Sequence, residues 1–126
     1  MKDKTRTILL VDDEKDIRDI LAEFLEDNNF TVRTAADGLK ALELIEESVP
    51  ELALVDLLLP GEHGINLIKT IKEKYFIPVI IISSIYNKEE VEDFMEEYFV
   101  DGFIPKPIVL DKLLEKIEAI LNAGTV

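Results

Sequence analysis

The chain has 126 residues, of which 48% are hydrophobic and 33% charged, enough for one buried core and unlike a disordered composition. It contains no cysteine, which excludes disulfides, thiolate metal sites and a cysteine nucleophile. Its 27 acidic and 14 basic side chains leave a formal charge of −13, so nucleic acid is not expected as a direct partner.

Most of that charge is expected to be solvated helix surface. The longest apolar stretch, residues 76–82, is broken by Pro78 and is too short to span a membrane. Residues 1–6 are polar and mixed in charge, and the apolar run that follows has only four residues, unlike a secretory leader. A cytoplasmic location without a membrane partner is the expectation.

Along the chain, short apolar runs alternate with helical periodicity. Residues 8–11 are continuously apolar, as in a strand buried on both faces. Ile17, Ile20, Leu21, Phe24 and Leu25 follow at spacings of three and four, one face of an amphipathic helix. Residues 30–35 alternate apolar and polar and predict a strand nearer the sheet edge. Asp37 is placed to cap a second helix bearing Leu39, Leu42 and Ile45, which ends near Ser48 and Pro50. Residues 52–55 predict another buried strand. Pro60, Gly61 and Gly64 then punctuate a loop before a helix with Ile65, Ile68, Ile71 and Tyr75. Residues 79–82 are the most strongly β-branched run, entered through Pro78. Asn87, with Glu90 three residues on, predicts a capped helix whose buried stripe is Val91, Phe94, Met95 and Tyr98. Residues 102–104 give a short fifth strand. A last helix after Pro107 carries Leu110, Leu113, Leu114, Ile117, Ile120 and Leu121.

Five strands alternating with five helices predict an α/β fold: a three-layer α/β/α sandwich around a parallel sheet with right-handed crossovers. A single domain over residues 1–126, with its core at about 6–122, is expected. The order of the strands is not contained in the pattern.

The residues that end the strands carry the chemistry. The first strand runs into Asp12, Asp13 and Glu14, the third into Asp56, the fourth into Ser83 and Ser84, and the fifth through Pro105 to Lys106. In an open parallel sheet all strand C-termini point one way, and ligands bind in the crevice beyond them. Three carboxylates, a hydroxyl and an ammonium are therefore expected to converge. Carboxylates so close raise one another's pKa unless a cation lies among them, and oxygen ligands without His or Cys favour a hard ion such as Mg²⁺, with Mn²⁺ as a substitute. Such an ion beside a lysine and a hydroxyl is suited to holding a phosphoryl group, with the nearest carboxylate as nucleophile. Taken singly, Asp13 or Glu14 reads as a helix cap, Asp56 as a turn former, and Ser83 and Lys106 as ordinary positions. Their joint placement at four of five strand ends favours the site.

This constellation resembles the receiver domains of two-component response regulators, along essentially the whole chain. The resemblance is carried by VDDE at 11–14, LVDLLLPGEHG at 54–64, PVIIISS at 78–84 and FIPKP at 103–107. It implies a flavodoxin-like sheet in the order 2-1-3-4-5, with Asp56 as the phospho-accepting aspartate. It further implies Mg²⁺ bound by Asp13, Asp56 and the carbonyl of Leu58, with Asp12 acting through water. Lys106 matches the lysine that contacts phosphoryl oxygens, and Lys106–Pro107 the family's cis peptide. Ser83 matches the hydroxyl that swings toward the phosphoryl group, and Phe103 the aromatic that turns inward on activation. A sensor histidine kinase or phosphotransfer protein is the implied donor, a downstream protein or attached output domain the implied target, and a phosphorylation-dependent dimer is compatible with the family. Such a domain is a signalling switch that catalyses its own phosphotransfer and slow autodephosphorylation.

The chain departs from the family where receivers often carry a small-residue pattern before the fifth strand: Glu97, Tyr98, Phe99 and Val100 stand there. Leu58 and Ile85, two residues past Asp56 and Ser83, are apolar and are expected to slow dephosphorylation by excluding water. His63 is the only histidine and is expected in solvent. An aspartyl-phosphate phosphatase is disfavoured, because such enzymes use a second Asp where Leu58 stands. A phosphorylation-independent binding module is disfavoured by the complete site.

Overall fold

The computed structural model describes residues 5–57, 64–84 and 87–123. Each apolar run forms a strand: β1 (Arg6–Val11), β2 (Phe30–Ala35), β3 (Leu52–Asp56), β4 (Val79–Ser83) and β5 (Gly102–Pro105). All pair in parallel, in the order β2-β1-β3-β4-β5. β1 is longer than its apolar run because Arg6 and Thr7 pair with Phe30 and Thr31 before β3 joins at Ile8. The Thr7 amide also donates to the Glu51 carboxylate.

Among the described residues four α-helices connect the strands, α1 (Lys15–Asp27), α2 (Gly38–Glu47), α3 (Gly64–Thr70) and α4 (Lys88–Tyr98), and a fifth, α5 (Leu110–Asn122), follows β5. Alternation along the strands divides the core into two layers. Leu9, Val11, Ala53, Val55, Val79 and Ile81 face Ala41 and Ile45 of α2 and Leu67 and Ile68 of α3. Ile8, Leu10, Leu52, Leu54, Ile80 and Ile82 face Leu21 and Leu25 of α1 and Leu113 and Ile117 of α5. β3 and β4 are buried throughout, as continuous apolar strands with helices on both faces must be.

The predicted caps form. The Asp37 side chain accepts from the Lys40 amide at 2.8 Å, and that of Asn87 accepts from the Glu90 amide at 3.2 Å. Two features depart from the pattern. α3 runs on as a π-helical turn, Ile71–Tyr75, closed by the Phe76 amide donating to the Ile71 carbonyl at 3.0 Å. The stripe Val91, Phe94, Met95 and Tyr98 holds α4 to the sheet, but none of its residues is fully buried.

Candidate functional site

Because the strands are parallel, the residues that follow β1, β3, β4 and β5 gather at one edge of the sheet. Asp12 is buried just beyond β1, and its Oδ1 accepts the Glu14 amide at 2.8 Å, a local turn that fixes the acidic segment. Its carbonyl accepts from Arg18 Nη1 at 2.7 Å, tying the same segment to α1. Asp56 is buried at the end of β3. Opposite them stands Lys106, whose Nζ lies 2.8 Å from Glu14 Oε1, 2.9 Å from Asp56 Oδ2 and 3.0 Å from Asp12 Oδ2. The Lys106 amide donates to the Ser83 carbonyl at 3.0 Å, so β4 carries the strand end that presents the lysine. The Lys106–Pro107 peptide is cis, as the resemblance implies.

One carboxylate oxygen from each of Asp12, Asp13, Glu14 and Asp56 lies within 4.8 Å of the others. A single ammonium among four carboxylates leaves the cluster strongly negative. Burial raises the Asp12 carboxyl above the usual 3.8; the Glu14 amide and Lys106 oppose the rise, and Asp56 reinforces it. Burial disfavours the Lys106 ammonium, but the hydrogen bonds it donates to Glu14 and Asp56, with the Asp12 carboxylate close by, outweigh burial and raise its pKa. Asp12 Oδ2 is close to Lys106 yet off the direction a hydrogen bond requires, so this buried oxygen has no hydrogen-bond donor among the described residues. An oxygen-only donor set with an unsatisfied buried carboxylate oxygen fits a hard divalent cation such as Mg²⁺.

Each predicted residue within the described segments is at this edge or beside it. Asp13 faces solvent at the rim, Ser83 is buried at the end of β4, and Phe103 is half-buried on β5. Phe103 lines a cavity of about 200 Å³ with Leu57, Ile81, Val91 and Phe94, beneath α4. Leu58, His63 and Ile85 lie outside the described residues. Three contributors were given no role in the site from sequence. Glu14 does not cap α1 with its side chain but pairs with Lys106, a role hinted at only by its place in the acidic triplet. Arg18 carries no signal beyond being a charged helix residue. A Cβ on Gly64 would lie 2.6 Å from the Asp56 carbonyl and 2.7 Å from that of Leu57, so this glycine lets α3 start against the backbone that presents Asp56. A second cleft, about 610 Å³, opens beside Glu14 and Lys106 and is walled by Ile17, Ile20, Leu21 and Ile108.

The family model of the response regulator receiver domain matches residues 8–118. A receiver domain protein from Methanospirillum hungatei JF-1 is 30% identical, with 95% of this chain and 96% of that one covered and a TM-score of 0.87. NtrX from Brucella abortus is 35% identical with a TM-score of 0.87; the match covers 95% of this chain but 27% of NtrX. The chemotaxis response regulator CheY4 of Vibrio cholerae, 23% identical, shares the fold over 93% of this chain and 99% of its own, with a TM-score of 0.86. The chain belongs to the response regulator receiver domain family of two-component signalling. No helix among the described residues is long and apolar enough to cross a membrane.

Proposed function

We propose that this receiver domain is a phosphorylation switch in which Asp56 accepts a phosphoryl group in a Mg²⁺-dependent reaction. A carboxylate oxygen of Asp56 attacks phosphorus while the bond from phosphorus to the donor breaks. The leaving group departs with the electron pair, as the imidazole of a phosphohistidine or as acetate from acetyl phosphate, and an acyl phosphate remains. Asp12, Asp13 and Asp56 would hold the ion, which supplies neutralisation of phosphoryl charge when bound. Lys106, anchored by Glu14 and Asp12, is within reach of the same oxygens and replaces part of their hydration. Ser83 and Phe103 then relay the change toward α4 and β5 by favouring one of two arrangements. The domain is consumed and regenerated in each cycle, which makes it a switch rather than an enzyme acting on a separate substrate.

The single observation that carries this reading is the buried Asp56 carboxylate, 2.9 Å from Lys106 Nζ inside a cluster of four acidic groups. The donor is a sensor histidine kinase or a phosphotransfer protein, and the apolar cleft beside Lys106 is the surface we assign to it. The output is a downstream protein or an attached domain, consistent with the much longer chain of NtrX. Intact-mass spectrometry after incubation with Mg²⁺ and acetyl phosphate or phosphoramidate tests the proposal. One added phosphoryl group is expected, lost with EDTA and in Asp56→Asn. An adduct of equal yield in Asp56→Asn overturns it.

A further inference from the structure

Two phenylalanines sit in backbone conformations that bulky side chains rarely adopt. Phe76 ends the π-turn with φ 58° and Phe99 ends α4 with φ 57°, in the left-handed region where helices ordinarily close on glycine. The amides of Phe76 and Val100 donate to Ile71 and Met95 at 3.0 Å, bonds that a glycine at either position would permit with less strain. Packing within the protomer does not offset that strain, because Phe76 is 80% and Phe99 75% exposed. Strained residues with exposed apolar rings point to a purpose outside the isolated fold.

The two rings share a cleft of about 410 Å³. It lies at the N-terminal ends of β4 and β5, the opposite edge of the sheet from the acidic pocket. Its walls differ in charge. One wall presents Lys69 of α3 with Lys72 and Glu73 of the π-turn, and the other presents Glu97 beside Tyr98 of α4. Lys72 is already held by Asp101 at 3.0 Å, whereas Lys69 and Glu97 make no ion pair among the described residues. A two-fold interface requires a patch that complements itself. A two-fold axis running along this cleft, between its walls, would set the Lys69 wall of each copy against the Glu97 wall of the other, with the phenylalanines closing over one another.

We propose that the cleft between Phe76 and Phe99 is a self-association surface occupied by a second copy of this chain, Lys69 of each protomer facing Glu97 of the other. The surface is separate from the phosphoryl pocket, so the proposal stands independently of the reaction at Asp56. The patch is small and the chain's charge of −13 opposes association, so the dimer is weak.

Sedimentation equilibrium from about 10 to 500 μM protein, in about 150 mM salt to screen the net charge, tests this. The wild-type chain is expected to be half dimeric on the order of 100 μM. The double variant Phe76→Asn with Phe99→Asn is expected to stay monomeric and to melt no lower than wild type, since asparagine tolerates the left-handed region. Lys69→Glu and Glu97→Lys are each expected to weaken dimerisation about tenfold, because each places like charges at both symmetric contacts. Mixing these two variants restores opposite charges at both contacts and is expected to return the affinity to near wild type. A wild-type chain that is monomeric throughout overturns the proposal, as does a dimer that survives the asparagine pair or a mixture that fails to recover.

Discussion

Among the described residues Lys106 is the one cation within contact of three carboxylates, two of them buried, and this makes it the most sensitive side chain of the pocket. Removing one partner from a buried ion cluster leaves the others uncompensated. Lys106→Met is therefore expected to cost the metal-free protein about 3 kcal/mol in urea unfolding, with saturating Mg²⁺ restoring part of the loss. Asp12 gives a pH dependence of known sign. Its folded pKa is raised above the usual 3.8 by burial, so its contribution to stability is full below that value and is lost as pH rises through the raised one. If Mg²⁺ binds the cluster as proposed, it competes with protons for the Asp12 carboxylate. The increase in melting temperature on adding Mg²⁺ is thus expected to be larger at about pH 7.5 than at about pH 5, read by thermal denaturation at fixed ionic strength. The pocket residues were legible from sequence because parallel strands leave their ends no other place to go. Arg18 and the clearance at Gly64 were not, since a helix-surface charge and a loop glycine look alike whether or not a backbone lies behind them.

Among the elements, α4 stands apart. α1, α2, α3 and α5 each bury at least two residues, whereas α4 buries none completely and rests on a cavity beside Phe103. Elements with few buried apolar contacts open more readily than the core. Amide hydrogen exchange followed by mass spectrometry is expected to show α4 exchanging faster than α1 and α5. If Ser83 and Phe103 relay phosphorylation as proposed, acetyl phosphate with Mg²⁺ changes the α4 rate more than theirs. The helix itself was readable from Asn87, Glu90 and the apolar spacing. Its shallow seating was not, because periodicity says which face turns inward and not how far it sinks. The π-turn escaped for a related reason: Ile68, Ile71 and Tyr75 fit an α-helical stripe, and the wider turn is set by closure at Phe76.

At the scale of the molecule, the charge of −13 acts on stability as well as on partners. Self-repulsion disfavours the compact state and is screened by salt. The metal-free protein is expected to melt higher in about 0.3 M NaCl than in about 0.02 M, whereas Mg²⁺ should saturate at far lower concentration if it binds the acidic cluster. The three-layer sandwich was legible from the alternation of runs and stripes, and the strand order was not: it came from the family resemblance and the sheet agrees with it. That order has a further consequence. Residues up to 47 supply β2 and β1, and residues from 52 supply β3, β4 and β5. Within the sheet the two groups meet along one seam of four residue pairs between β1 and β3, while α1 packs with α5 and α2 with α3 across the same division. The acidic pocket straddles the seam, with Asp12, Asp13 and Glu14 on one bank and Asp56, Ser83 and Lys106 on the other. Neither half-chain owns a complete site, so a chain cut between them is expected to regain the pocket only when both halves are present. Opened at the exposed Val49, its halves would meet through the apolar layers they share, and a change in the strength of their reunion on adding Mg²⁺ would report what the pocket holds.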